Sequence, residues 1–210
     1  MKQTPEELLA RAYALSGDDE TKSLYSDWAS TYDATMLDGL GYLTPARTAA
    51  MLAESLADRD AEVLDVGSGT GLAGEELAKH GFATVDALDF SPEMLAVAGA
   101  RGCYRRLVEA DLNRPLEFAG DSYDAMICTG TFTHAHVGAA CLDELFRVLK
   151  PGGLFACTVH RDVWRPAGFE RKEKELGKAG TLETISLAVG NYYATSTEPE
   201  GFYVLWRRVG

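Results

Sequence analysis

The stretch Val63-Leu64-Asp65-Val66-Gly67-Ser68-Gly69-Thr70-Gly71-Leu72 runs a strand of buried character into a loop with glycine at every second position. A helical pattern over 71–80 follows. Glycine at such positions permits positive φ and lets a ligand come close to the backbone. The helix N-terminus behind the loop favours an anion or a carboxylate. Spacing narrows the ligand. A dinucleotide fingerprint, G-x-G-x-x-G or A, needs a small residue at 72, where Leu72 stands. A phosphate-cradling loop ends in G-K-S or G-K-T, and none follows. The loop therefore suits a nucleoside that carries no pyrophosphate, with a plain tight turn as the bland alternative.

Around this segment the chain alternates strand and helix. Strands are expected at 61–67, 83–89, 104–110, 123–129 and 153–160, with helices at 71–80, 92–101 and 137–149 between them. Val63-Leu64-Asp65-Val66 and Ala125-Met126-Ile127-Cys128 are nearly continuous apolar runs, as in parallel strands covered on both faces. Ser91-Pro92 reads as an N-cap followed by proline at the first helical position. Leu142, Leu145, Phe146 and Leu149 form a stripe that stops at Lys150-Pro151-Gly152-Gly153. Upstream lie three helical patterns: Leu8, Leu9, Ala12 and Leu15; then Tyr25, Trp28, Tyr32 and Thr35; then Ala49, Leu52, Ala53 and Leu56 from near Pro45. Downstream, a charged helix around 168–178 precedes β-rich runs at 181–193 and 202–209, read as strands that finish the sheet. The expected organisation is a helical extension over 1–58 and one α/β domain over 59–210.

Composition fits one well-cored domain. The chain has 210 residues, 46% of them hydrophobic and 25% charged. Lys and Arg number 20 against 32 Asp and Glu, a formal net charge of -12, which opposes binding to a nucleic-acid backbone. No signal-peptide pattern opens the sequence. The longest uncharged stretch, 125–142, contains glycines, threonines and histidines and reads as strand, loop and helix start. None of the four cysteines, Cys103, Cys128, Cys141 and Cys157, lies in a C-x-x-C pair, so they are expected as small buried hydrophobes. A cytoplasmic location is expected.

Two further carboxylates suit a nucleoside. Asp89 closes the second strand about twenty residues past the loop, where an acid accepts the protons of both ribose hydroxyls. Asp111 closes the third strand. With Asp65 they stand at the strand ends where open α/β sheets bind ligands. One such acid is ordinarily a solvated cap; three at equivalent positions argue for a site.

The run Asp65-x-Gly67-x-Gly69-x-Gly71, Asp89-x-Ser91-x-x-Met94-Leu95, Asp111-Leu112 and Arg147-Val148-Leu149-Lys150-Pro151-Gly152-Gly153 resemble class I S-adenosylmethionine-dependent methyltransferases. Tyr25-Ser26-Asp27-Trp28-Ala29-x-x-Tyr32-Asp33, Tyr104-Arg105 and Phe132-Thr133-His134-x-His136-Val137-Gly138 look more narrowly like the Williams–Beuren syndrome chromosome region methyltransferase-like family. The resemblance covers roughly residues 20–160. It implies a Rossmann-like three-layer sandwich: a mostly parallel seven-stranded sheet with an antiparallel last strand. It also implies S-adenosyl-L-methionine as cofactor. Gly67, Ser68, Gly69 and Gly71 would leave room for its methionine and ribose parts, and Asp65 would lie near its amino group, directly or through water. Asp89 would hold the ribose diol, with Phe90 beside adenine and Met94 in the same set. Asp111 would accept the adenine amine while the Leu112 N–H donates to a ring nitrogen. Thr129 would contact the methionine part through its backbone. Tyr25, Trp28 and Tyr32 would belong to a helix closing over the cofactor.

Methyl transfer from a sulfonium is an in-line displacement governed chiefly by positioning. An acid–base group is needed only where the acceptor loses a proton. His134, His136 and His160 follow the fourth and fifth strands on the expected catalytic edge and are the candidates, with pocket-wall hydrogen bonding as the alternative. A metal pair of His134 and His136 lacks a third ligand of sensible spacing, so no metal is expected. Trp28 or Tyr32 would suit a sulfonium as an aromatic wall. The fourth strand ends Thr129-Gly130-Thr131-Phe132, without the Asn/Asp-Pro-Pro-Tyr/Phe signature of methyltransferases acting on exocyclic base amines or side-chain amides. The expected function is transfer of a methyl group to an O or N atom of a small molecule, without nucleic-acid or membrane partners, by a monomer or homodimer. The alternatives are a non-catalytic cofactor-binding module, an NAD(P)-dependent oxidoreductase, which Leu72 opposes, and an RNA methyltransferase, which the charge opposes.

Overall fold

A computed structural model describes Thr4, Glu7, Leu8, Ala10, Leu24, Trp28 and residues 31–134 and 137–210. Tyr25, His136 and most of the first helical stripe lie outside the described residues. A seven-stranded sheet organises the chain: β1 (Glu62–Val66), β2 (Thr84–Asp89), β3 (Arg106–Glu109), β4 (Tyr123–Phe132), β5 (Leu149–His160), β6 (Leu182–Gly190) and β7 (Gly201–Arg208). Their order across the sheet is β3-β2-β1-β4-β5-β7-β6. The first five pair in parallel, and β7 runs antiparallel to both β5 and β6. The antiparallel last strand is therefore as expected.

Both apolar runs sit at the centre and are buried on two faces. Leu64, Val66, Met126 and Cys128 join one core, with Leu142, Leu145, Phe146 and Phe169. Those last four come from α4 (Cys141–Val148) and α6 (Phe169–Lys178). Val63, Ala125 and Ile127 join the other core under α1 (Thr44–Ser55) and α2 (Leu72–Lys79). Helix α3 (Pro92–Ala100) packs on β2 and β3, while α5 (Arg161–Trp164) is a single turn after β5. The Ser91 hydroxyl accepts from Met94 N at 3.2 Å with Pro92 following, which is the cap the sequence foretells. Within β2, buried Asp86 accepts from Arg105, Arg106 and Tyr123, which hold its carboxyl well below the ordinary carboxylate range.

Among the boundaries that differ from the sequence expectation, three have a visible cause. β4 runs on past Thr129 to Phe132, because buried Phe132 pairs with Val159 across a register shift. β5 begins at Leu149 rather than 153, because Leu149 pairs with Tyr123 and a second shift absorbs Lys150-Pro151-Gly152-Gly153 into the ladder. The helix expected from 137 starts at Cys141; upstream of it, the Ala139 N–H is committed to the Ala167 carbonyl.

Candidate functional site

Strand order reverses between β1 and β4, and ligands of open α/β sheets bind at such a switch point, beyond the strand C-termini. A cavity of about 290 Å³ opens there, near the lower end of the range of small-molecule sites. The ends of four parallel strands wall it. Gly67, Ser68 and Gly69 come from the loop after β1, Asp89 ends β2, and Phe90 and Met94 lie beyond it. Asp111 and Leu112 follow β3, and Thr129 lies in β4. Tyr32 completes the expected residues that the cavity brings together.

Gly69 shows why the loop needs glycine. Its φ is +54°, and a Cβ built on it meets nothing within 4 Å, so a side chain there would project into open space beside the loop. Its N–H donates 2.8 Å to Asp89 Oδ2, while Ser91 N donates 2.9 Å to Asp89 Oδ1. These bonds span the ends of β1 and β2 and fix the Asp89 carboxylate beside the loop. Burial pushes the Asp89 carboxyl up, against the pull of its backbone N–H donors. Asp111 accepts from Asn113 N at 2.8 Å and lies 3.4 Å from Arg114, which also lines the cavity.

Asp65 is placed elsewhere. It is fully buried beneath the loop and is not part of the cavity wall. Its Oδ2 accepts from the Tyr104 hydroxyl, and its Oδ1 has no hydrogen-bond partner among the described residues. Burial pushes its carboxyl up to about 7, against the lowering pull of Tyr104. Tyr104 fits because α2 carries Gly74, where a Cβ would come within 2.2 Å of the tyrosine ring and hydroxyl. Gly71 likewise faces Tyr104 rather than the cavity, and Trp28 lies outside the wall, buried with Leu24 and Met36.

The segment carrying Tyr32 is tied down. Asp33 Oδ1 accepts 2.6 Å from the Thr70 hydroxyl, and Asp33 Oδ2 pairs with Arg101. Arg101 also pairs with Glu75 and donates 2.6 Å to the Thr70 carbonyl. This knot joins the N-terminal segment, the glycine loop and α3.

The far wall includes Tyr42, Gly130, Thr131 and Val137, which the sequence did not single out as site residues. Tyr42 stacks on Tyr193 at 5.5 Å, and Gly130 N donates to the Thr158 hydroxyl. His134 lies in sequence between Thr131 and Val137 but is not itself in the wall, and neither is His160. The two rings are 4.7 Å apart, and His134 Nε2 is 3.3 Å from Asp162 Oδ2. His160 Nδ1 accepts from Asp162 N and so starts α5.

The fold and these strand-end residues define a class, and comparison with known proteins agrees. A family model described as a methyltransferase domain matches residues 64–157. The chain is 33% identical over 179 residues to demethylmenaquinone methyltransferase of Parafrankia sp. (strain EAN1pec), covering 75% of this chain and 70% of the relative. It is 36% identical over 140 residues to methyltransferase-like protein 27 of Homo sapiens, covering 64% of this chain and 55% of that protein. The chain thus spans about half the length of the human relative, whose likeness agrees with the narrower resemblance read from the sequence. A TehB-like S-adenosylmethionine-dependent methyltransferase from Corynebacterium glutamicum shares the fold, with a TM-score of 0.66 over 89% of this chain and 98% of its own at 18% identity. The chain belongs to the class I S-adenosylmethionine-dependent methyltransferases, whose cofactor is S-adenosyl-L-methionine.

Proposed function

We propose that the chain transfers a methyl group to an oxygen or nitrogen atom of a small-molecule acceptor. The observation that carries this reading is that one cavity holds both the Asp89 and Asp111 strand ends and the apolar wall of Tyr32, Tyr42 and Val137. S-adenosyl-L-methionine, when bound, supplies a methyl group on an electrophilic sulfonium. The residues of this chain do the rest. Asp89 takes the ribose hydroxyls with its remaining lone pairs, and Asp111 takes the adenine amine while Leu112 N–H donates to the ring. Phe90 and Met94 pack the base. Gly67, Ser68, Gly69 and the Thr129 backbone seat the methionine part. Within the extension over 1–58, the segment bearing Tyr32 acts as a lid over the cofactor, while α1 packs under the sheet of the catalytic domain over 59–210.

Breaking of the cofactor's C–S bond would accompany formation of the O–C or N–C bond, so the residues that hold cofactor and acceptor would keep the two in line. A proton on the acceptor passes to His134, which Asp162 orients. Positioning supplies most of the acceleration, and exclusion of water by Tyr32 and Tyr42 protects it. The net charge of -12 favours an acceptor that is not a polyanion. The quinone in the name of the Parafrankia relative puts quinones and their reduced quinol forms first in the panel to be tried.

The test is turnover of labelled S-adenosylmethionine with quinones, quinols, phenols, amines and carboxylates, read as label in the acceptor. His134→Ala is expected to cut turnover about 10²–10⁴-fold with calorimetric cofactor affinity unchanged. Cofactor binding with no turnover on any acceptor would favour a binding module instead.

A further inference from the structure

Beyond the cavity wall, the C-terminal ends of β4 and β5 bring together three side chains from separate parts of the chain. His134 Nε2 is 3.3 Å from Asp162 Oδ2, and His160 Nδ1 is 3.7 Å from the same oxygen. One ligand atom from each residue lies within 4.8 Å of the other two. Among the described residues this is the only group of three or more His, Cys, Asp or Glu side chains so placed.

We propose that His134, His160 and Asp162 form a site for a divalent transition-metal ion at the acceptor end of the sheet. Ligands held at about 2.0–2.2 Å around a tetrahedral ion stand roughly 3.3–3.6 Å apart. The two distances to Asp162 already approach that spacing, and rotation of the half-buried His134 or the exposed Asp162 closes the third. Two imidazoles and one carboxylate suit Zn²⁺, Co²⁺, Mn²⁺ or Fe²⁺ rather than Mg²⁺ or Ca²⁺, which prefer all-oxygen sites. Capture through His160 Nδ1 would replace the bond it accepts from Asp162 N. Buried His160 gives the site a fixed floor, and exposed Asp162 leaves a way in from solvent. Three protein ligands leave a position for water or for an acceptor oxygen. The ion's use in methyl transfer rests on the function proposed above, and there it would replace proton transfer to His134 itself, whose Nε2 and Asp162 partner it would occupy; its binding does not rest on that function.

The experiment is titration of the full chain with Co²⁺, without cofactor or acceptor, followed by its visible absorption. One equivalent is expected, displaced by Zn²⁺ but not by excess Mg²⁺. Asp162→Asn and His134→Ala are each expected to weaken binding at least about tenfold, and His80→Ala on the exposed end of α2 to leave it unchanged. No visible band, or undiminished affinity in both site variants, would overturn the proposal. Metal binding that persists where no acceptor is methylated would count against the methyl-transfer reading and leave the site standing. Turnover without metal binding would do the reverse.

Discussion

The Tyr104 hydroxyl donates a 2.6 Å hydrogen bond to Asp65 Oδ2, so the first acid of the glycine-loop motif is engaged beneath the loop and outside the cavity wall. The carboxyl titrates near 7 in the folded chain against 3.8 for an ordinary aspartate, because burial disfavours its charge. Between those values the native state holds a proton that the unfolded chain has lost. The contribution to stability is therefore full below about pH 4 and lost as pH rises through 7. Asp65→Asn stays neutral throughout. Its stability relative to the parent, from urea unfolding, is expected to climb between pH 5 and pH 8, by at most about 2.6 kcal/mol. A difference that does not change with pH would refute this assignment.

Asp89 joins two elements and also faces the cavity. Asp89→Ala removes the acceptor for Gly69 N and Ser91 N together with the proposed ribose ligand. Cofactor affinity by calorimetry is expected to fall by about 1.5–3 kcal/mol, the worth of hydrogen bonds to a charged group. Unchanged affinity would sink the ribose assignment.

Gly69→Val places a β-branched side chain at φ +54° and directs it into the open space beside the loop. Cofactor binding should be lost while far-UV circular dichroism stays close to that of the parent. Retained binding would mean that the cofactor does not approach this loop.

Arg101 holds Asp33, Glu75 and the Thr70 carbonyl at once. Arg101→Ala leaves Asp33 only the Thr70 hydroxyl among these ties, and the segment bearing Tyr32 is expected to open more often. Stopped-flow dissociation of S-adenosylhomocysteine should speed up about tenfold, equivalent to roughly 1.4 kcal/mol. An unaltered off-rate would show that this knot does not control access.

What the sequence made legible was local or periodic. The loop between β1 and α2, the Ser91 cap, and Asp89 and Asp111 at strand ends each depend on a few consecutive residues, and all lie where expected. Reading failed where a distant partner decides the outcome. Tyr104 meets Asp65 across 39 residues, Arg101 meets Asp33 across 68, and Asp162 meets His134 across 28. No spacing rule encodes such pairs. Gly130 and Pro151-Gly152 read as breaks because glycine and proline punctuate, yet the pairings of Phe132 and Leu149 carry both strands past them.

The sheet order also has a kinetic side. β6 has one neighbour, β7, which follows it in sequence and fits between β6 and β5. Residues 182–190 therefore cannot dock on the sheet until 201–208 lie between them and β5. Ile185, Leu187 and Val189 remain partly exposed even in the finished fold. Until β7 arrives, β5 is an open edge and β6 is a detached apolar strand, the condition in which nascent chains aggregate. Closure of the sheet thus waits on its second-to-last position, and that wait is the interval in which a chaperone has most to protect.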